Sequence, residues 1–483
     1  MQSGPLRIHL SNQVTLAVPA NLDSITTYVL LEQEIWFEKE LSFLSRWLKP
    51  GMTAIDIGAN MGVYALPIAR LVGPHGRVFA YEPSSEACEL LEQSRDLNAA
   101  HNLEIFDLAV SDSEREGRLL AGASSELSAL SDSGVGELVH VTSLDVESPK
   151  RRWPPPDFIK IDAEGEEERI LAGGRDFFAQ HSPLVMFEIK AGNVVNENLR
   201  AAFPAIGYQL FRLLVGTPIL VPLDPRLPLD PFELNLFACK PDRISSLRDG
   251  DFLVDQFLTL DLNNEAISNG LSLLQQQAFA PMFGHLLDDA KYMEPDYAKA
   301  LAAFAMWRKD DLPARIRCAA LFLAYRTLAA LCNRAPSTAR YSTFARIAWE
   351  GGWRGESVTA MKQMAAYIQR IPFRPTEPCW PANPRFDDVK VTTNPALWFA
   401  TAVTEQLERA QSYSTYFSGM SPWLAWLCDQ PVTSHEMHRR KTLLAAHRGV
   451  IPVVPLCLRK EAADHLNAHL WRSGMVPGTR AVP

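Results

Sequence analysis

Gly51-Met52-Thr53-Ala54-Ile55-Asp56-Ile57-Gly58-Ala59-Asn60-Met61-Gly62 runs from a short apolar stretch through a glycine-rich turn into a helix-like segment at 63–72. Three turn chemistries compete for this pattern. A dinucleotide fingerprint requires G-x-G-x-x-G, and Ala59-Asn60 follow Gly58 where the second glycine should stand. A phosphate-cradling P-loop requires Gly-Lys-Ser/Thr, and Val63-Tyr64 occupy that place. What remains is D-x-G-x-N-x-G, an acid at a strand end followed by a turn with no phosphate donor.

Such a turn suits a ligand with an ammonium, a carboxylate and a ribose but no pyrophosphate, and S-adenosylmethionine is one such ligand. Asp56 would hold its cationic parts directly or through water, while Gly58 and Gly62 let the backbone approach closely. Glu82 closes the second strand, RVFAYEP, and Pro83 stops that strand. An acid there can accept hydrogen bonds from both hydroxyls of a ribose lying across the first turn. NAD enzymes use the same geometry, so the missing glycine, not Glu82, selects the cofactor. The plain alternative for Asp56 is an acidic cap beside a tight turn.

Outward from this turn, short β-branched and aromatic runs alternate with helical stretches as far as residue 242. TAIDIG, RVFAYEP, LEIFDLAV, DFIKID and PLVMFEI read as strands, and VYALPIARLV and EACELLEQSRDLNAA as helices between them. Alternation of this kind means right-handed crossovers and a mostly parallel, Rossmann-like sheet covered on both faces: an α/β domain at 1–242 with an N-terminal extension at 1–40. From residue 243 to 483 the chain is Ala- and Leu-rich with helical periodicity, an all-α accessory domain. STFARIAWEGGWRGESVTAMKQMAAYI reads as a helical hairpin, weakly tetratricopeptide-like but with no second copy at a fixed period. A Pro-rich loop at 371–386 interrupts the helices. CWPANPRF and SYSTYFSGMSPWLAWL have the aromatic-plus-polar character of carbohydrate or partner surfaces.

With 483 residues the chain has room for two or three domains, and 47 % hydrophobic with 21 % charged residues is globular composition. A net charge of −9 argues against a broad nucleic-acid surface. Seven cysteines with no CxxC pair suit a reducing, cytoplasmic compartment. The first twenty residues show no signal pattern and no 18 uncharged apolar residues run together, so neither secretion nor a membrane span is expected.

PGMTAIDIGANMGVYALPIARLVGPHGRVFAYEPS, NLEIFDLAVSD, VTSLD and DFIKIDAEGEEERILAGG resemble, in order and interval, successive motifs of the FkbM family of S-adenosylmethionine-dependent methyltransferases over roughly residues 30–240. The resemblance implies a class I methyltransferase fold, a seven-stranded sheet with an antiparallel last strand, LNLFACKP, preceded by GYQLFRLLVG. It implies methylation of hydroxyl oxygens on sugars, polysaccharide precursors or secondary metabolites. By the same resemblance Asp56, Gly58, Ala59, Asn60 and Gly62 form the first cofactor loop, Glu82 with Pro83 takes the ribose, and Ala109 and Val110, running on to Ser111-Asp112, line the adenine side.

Lys160-Ile161-Asp162-Ala163-Glu164-Gly165-Glu166 ends the DFIKID strand, and alternation puts Lys160, Asp162 and Glu164 on one side if the strand persists. Ionisable groups at such a terminus are costly unless paired or functional. A sugar hydroxyl is a poor nucleophile, so Asp162 or Glu164 would accept its proton with Lys160 tuning that carboxylate, and Glu188 is a further candidate base. The competing reading is an ion-paired strand end with Glu166, Glu167 and Glu168 as a solvated first helical turn. No metal is assigned: Asp162 and Glu164 would need further ligands for Mg²⁺, and the pairs His435/His438 and His465/His469 lack a third. The expected partner is a small-molecule or glycan acceptor. The helical half would serve as a docking or lid domain over the acceptor, or carry a homodimer or biosynthetic-complex contact. A non-catalytic scaffold, or transfer to nitrogen or a protein side chain, are the alternative functions.

Overall fold

In the computed structural model, residues 4–120, 129–131, 136–191, 194–288, 293–419 and 421–481 are described. Eight strands make the central sheet: β1 (Thr53–Ile57), β2 (Arg77–Tyr81), β3 (Leu103–Phe106), β4 (Phe158–Ile161), β5 (Leu184–Glu188), β6 (Gln209–Leu214), β7 (Ile219–Pro222) and β8 (Asn235–Cys239). Their spatial order is β7-β6-β8-β5-β4-β1-β2-β3. β3, β2, β1, β4 and β5 pair in parallel, and β8 inserts antiparallel between β5 and β6. The class I arrangement is therefore present, with one strand beyond the expected seven: β7 hairpins back antiparallel onto β6 at the edge.

Each strand of the sheet's centre feeds two cores by simple alternation. Ile55, Ile57, Ile159, Ile161, Val185 and Phe187 face one layer of helices. Ala54, Val78, Phe158, Leu184 and Met186 face the other. Asp56 and Lys160 are the polar interruptions on that second face, and they are register partners across β1 and β4. LEIFDLAV is divided: its first half is β3, and Ala109–Val110 leaves to pair with Glu137–Thr142 in a separate four-stranded sheet. Sequence patterning missed that sheet because its other strands, such as Arg115–Leu120, are mostly polar and short.

The helical half follows its periodicity. Ala314–Arg334 is one helix packed on Pro295–Trp307, and Thr338–Glu350 with Arg354–Ile368 is the expected hairpin. Ala314–Arg334 is the one helix among the described residues long and apolar enough to cross a membrane, and 56 % of its apolar window is buried inside the fold. Of the stretch 275–290, the last two residues lie outside the described ones, as does Met420 within 412–427. CWPANPRF is not a surface: Cys379, Trp380, Ala382 and Phe386 are buried, with Trp380 edge-on to Phe279 and Phe304.

The last part of the chain returns to the first. Leu443, Leu458, Trp471 and Val476 share a core with Leu6, Ile8, Leu16 and Val18 of the N-terminal hairpin. Asn467 accepts from the His9 N–H at 2.8 Å and donates to the His9 carbonyl at 2.9 Å. Arg439 donates to Glu34 at 3.1 Å and to the Glu32 carbonyl at 2.7 Å, all three groups buried. His465 belongs to this junction, bonded at one ring nitrogen to Arg439 and at the other to the Leu458 carbonyl. His435 pairs with Asp464.

Candidate active site

A cavity of about 550 Å³ opens at the carboxyl ends of β1, β2, β4 and β5, where an open α/β sheet leaves its crevice. Gly58, Ala59, Asn60, Glu82, Pro83, Ala109 and Val110 line one end; Lys160, Asp162, Glu164 and Glu188 line the other. Asp56 and Gly62 stand behind the wall rather than in it.

The first turn is shaped by its glycines. Gly58 has φ +76°, and a Cβ there would lie 1.7 Å from the Asp162 carbonyl oxygen. Gly58 thus lets the β1 turn pack against the β4 turn. Gly62, at φ +94°, leaves room for Leu91 and Leu66. The amides of Gly58 and Ala59 both donate to the Tyr81 carbonyl at 3.0 Å, binding the turn to the end of β2.

That link sets Glu82. Its carboxylate accepts from the Asn60 N–H at 2.8 Å and from the Ser84 N–H at 2.9 Å. One oxygen is used by each, and lone pairs remain on both for further donors. Burial nevertheless pushes its pKa up to about 7, against those two amides. Asp56 is wholly buried; Lys160 and the Ala65 amide lie near it, but no hydrogen bond closes on either carboxylate oxygen. Its nearest charge is Lys160 Nζ at 3.8 Å, and burial lifts its pKa to about 6.

Lys160 Nζ donates to Asp162 at 2.7 Å and lies 5.0 Å from the centre of the Tyr64 ring. Burial opposes its charge, but Asp162 and Asp56 together outweigh burial and hold its pKa above the usual lysine value. β4 stops at Ile161, so the strand does not carry the alternation onward. A turn does that work: Glu164 takes φ +47° and Gly165 φ +100°. The left-handed pair brings oxygens of Asp162, Glu164 and Glu188 within 4.8 Å of one another. Burial, with Asp162 next, pushes Glu164 up to about 7. Burial and the neighbouring carboxylates push Glu188 much further up.

Glu166 and Glu167 are not a solvated helix start. Glu167 is buried and accepts from the Ala163 and Gly165 amides at 3.0 and 3.2 Å, fixing the turn from below. Glu166 accepts from the Ser111 hydroxyl at 2.5 Å, tying the β4 turn to the Ala109–Val110 side.

Several wall residues carried no sequence signal. Trp36, Phe37 and Glu38 come from the segment before the first sheet strand. Glu38 accepts from the Tyr64 hydroxyl at 2.5 Å and from Asn235 at 2.9 Å, and burial raises its pKa. Gln411 and, from the SYSTYF stretch whose aromatic character was visible, Ser412, Tyr413 and Phe417 come from the helical half. Glu32 secures this strap through the Thr415 amide at 3.0 Å and the Thr415 hydroxyl, and Tyr28 lies 3.0 Å from the same hydroxyl.

Comparison with known proteins gives the following. Residues 56–210 match the family described as methyltransferase FkbM domain. The AMB antimetabolite synthetase AmbE of Pseudomonas aeruginosa is 36 % identical over 91 residues, which is 19 % of this chain and 4 % of that protein. Among solved structures, methyltransferase FkbM from Methylobacillus flagellatus is 19 % identical with a TM-score of 0.29, covering 41 % of this chain and 47 % of that one. A SAM-dependent O-methyltransferase from Thermotoga maritima is 18 % identical with a TM-score of 0.25, covering 42 % and 64 %. The chain thus spans less than two thirds of each of these three.

Proposed function

Residues 56–210 being a methyltransferase FkbM domain, we propose that the chain transfers a methyl group from S-adenosylmethionine to a hydroxyl of a sugar, polysaccharide precursor or secondary metabolite. The observation that carries the reading is the charge of the cavity: Asp56, Asp162, Glu164 and Glu38 lie around one ammonium, Lys160. Uncompensated buried carboxylates favour a cationic guest, and the unbonded oxygens of Asp56 fit such a group.

The residues divide between holding and reacting. Glu82 has lone pairs left for two ribose hydroxyls, with Pro83 beside it. Asn60, Ala59 and Gly58 line the turn below, and Ala109 and Val110 give an apolar wall for adenine. Asp56 acts from behind that wall by its charge and by placing Lys160. Bound S-adenosylmethionine would supply an electrophilic methyl group on a sulfonium sulfur. The acceptor oxygen must lose a proton as it gains that methyl, and a positioned base contributes typically ~10²–10⁴-fold. Glu164, with a pKa near 7 and its side chain in the cavity, suits that task at neutral pH. Lys160 holds Asp162 as its ion-pair partner, and Glu188 stays protonated as a hydrogen-bond donor to the acceptor.

Trp36, Phe37, Tyr413 and Phe417 beside these acids support a hydroxylated acceptor, since ring faces cover a sugar's C–H faces while carboxylates take its hydroxyls. All seven cysteines are free, which supports a reducing, cytoplasmic setting. Incubation of the purified chain with methyl-labelled S-adenosylmethionine and fractionated small molecules tests the reading. Label on an oxygen of a hydroxylated metabolite is the expected result; absence of both transfer and calorimetric binding of the cofactor overturns it.

A further inference from the structure

Behind the Phe37 and Tyr413 side of the active-site wall lies a second cavity of about 260 Å³, lined by residues of opposite character. Lys39, Arg354, Arg385, Arg409 and Arg440 face it, and Glu436 is the one carboxylate in its lining. Most of these cations are already matched. Arg385 pairs with Glu405 at 2.8 Å. Arg409 pairs with Glu436 at 2.8 Å and Glu405 at 3.3 Å. Arg440 pairs with Glu436 at 2.9 Å and Glu32 at 3.3 Å.

Two are not. Arg354 donates to the main-chain carbonyls of Ala410 and Arg409 and lies over the rings of Phe232, Trp349 and Tyr413, with no carboxylate of the described residues in salt-bridge range. The Lys39 ammonium makes no hydrogen bond or ion pair among the described residues. Five cations whose ion-pair partners are the three carboxylates Glu436, Glu405 and Glu32 leave two positive charges at this cavity, Arg354 partly buried in its lining and Lys39 exposed at its edge. Burial holds the Arg354 pKa down at about 10. A site so built gains most from a doubly charged anion whose oxygens can take guanidinium and ammonium donors together.

We propose that this cavity is a binding site for a phosphoryl dianion, held by Lys39 and Arg354 with Arg385 and Arg409 at its rim. The site shares Phe37 and Tyr413 with the acceptor end of the methyltransferase cavity, so the phosphoryl group is either free phosphate or the handle of a phosphorylated acceptor. The site rests on Lys39 of the N-terminal segment and the arginines of the helical half; only its assignment to a phosphorylated acceptor rests on the methyl-transfer reading.

Titration calorimetry of the full chain with inorganic phosphate and, separately, glucose 1-phosphate tests it at low ionic strength. Saturable uptake of at least one is expected, weakened roughly tenfold in Lys39→Met, whose exposed side chain makes no internal bond. Arg354→Lys, which keeps the charge but loses the planar fork, should weaken it less. Tighter uptake of glucose 1-phosphate assigns the site to a phosphorylated acceptor, and tighter uptake of inorganic phosphate assigns it to the free ion. No uptake of either probe, or uptake unchanged in Lys39→Met, overturns the proposal. S-adenosylhomocysteine titrated into the same preparations reports the first cavity separately, so failure there leaves this result readable.

Discussion

Asp56 is the residue at which sequence and geometry meet most directly. It is wholly buried, opposed across the sheet register by Lys160, and bonded at neither oxygen. Asp56→Asn keeps the shape and removes the charge. It should lower affinity for S-adenosylhomocysteine or its sulfonium parent at least about tenfold, with the melting temperature of the free protein unchanged or higher, because a penalised buried charge is gone. Equal affinity by calorimetry would remove Asp56 from cofactor binding. Gly58→Ala is expected to behave otherwise: its Cβ meets the Asp162 carbonyl oxygen at 1.7 Å in a left-handed conformation, so stability in urea should fall by at least about 2 kcal/mol. Glu164→Gln should leave cofactor affinity intact and cut kcat by ~10²-fold or more. Since the raised pKa of Glu164 lies near 7 and the base must be unprotonated, the wild-type rate should climb as pH rises through about 7, and the variant should lose that limb.

At the scale of elements, two short pieces of chain carry the site. The turn after β4 replaces the strand continuation that period-two alternation implied, and Glu167 holds it by taking the Ala163 and Gly165 amides. The strap at 412–418, from the far half of the chain, is held by Glu32 through Thr415. Thr415→Val removes the hydroxyl and leaves a Glu32 oxygen short of a donor, a cost of about 1–3 kcal/mol. The strap's side chains Tyr413 and Phe417 sit at the acceptor end, so this variant should raise KM for the acceptor while cofactor Kd stays constant. A change in cofactor Kd alone would show that the strap serves the other end of the cavity.

For the molecule as a whole, two sets of carboxyl groups pull its pH dependence in opposite directions. Asp56, Glu82 and Glu164 have folded-state pKa values raised to about 6, 7 and 7, so the stability they contribute is present below their unfolded values and is lost as pH rises through that range. Burial resists charge on Glu34 and Glu436 as well, but Glu34's hydrogen bonds and Arg439, and the arginines around Glu436, hold both down at about 2. Their contribution is present above the unfolded value and is lost as pH falls toward 2. The ligand-free protein should therefore be most stable near pH 4.5 and lose stability from there to about pH 7, and S-adenosylmethionine should raise its melting temperature more at pH 7.5 than at pH 5.5. A thermal-shift series over that range checks both signs. Trp471, fully buried where the end of the chain meets the N-terminal hairpin, ties the halves together, and Trp471→Ala should cost about 3–5 kcal/mol.

The end proposed to hold the cofactor was legible before any fold was drawn, because its signals are local. An acid at a strand tip, a left-handed glycine two residues on and a second acid ending the next strand lie within 27 residues, 56 to 82, and strand alternation places them at one sheet edge. Lys160 at the end of its strand was readable as well, but its place opposite Asp56 is a cross-strand register that spacing along the chain does not give. The acceptor end was not. Phe37 and Glu38 lie hundreds of residues from Tyr413, share no period with it, and meet it because the helical half folds back on the N-terminal segment through buried pairs such as Glu34–Arg439. Which arginines in the second cavity keep a carboxylate and which do not is settled by the same packing, since pairing of charges depends on distance in space and leaves no mark on spacing along a chain.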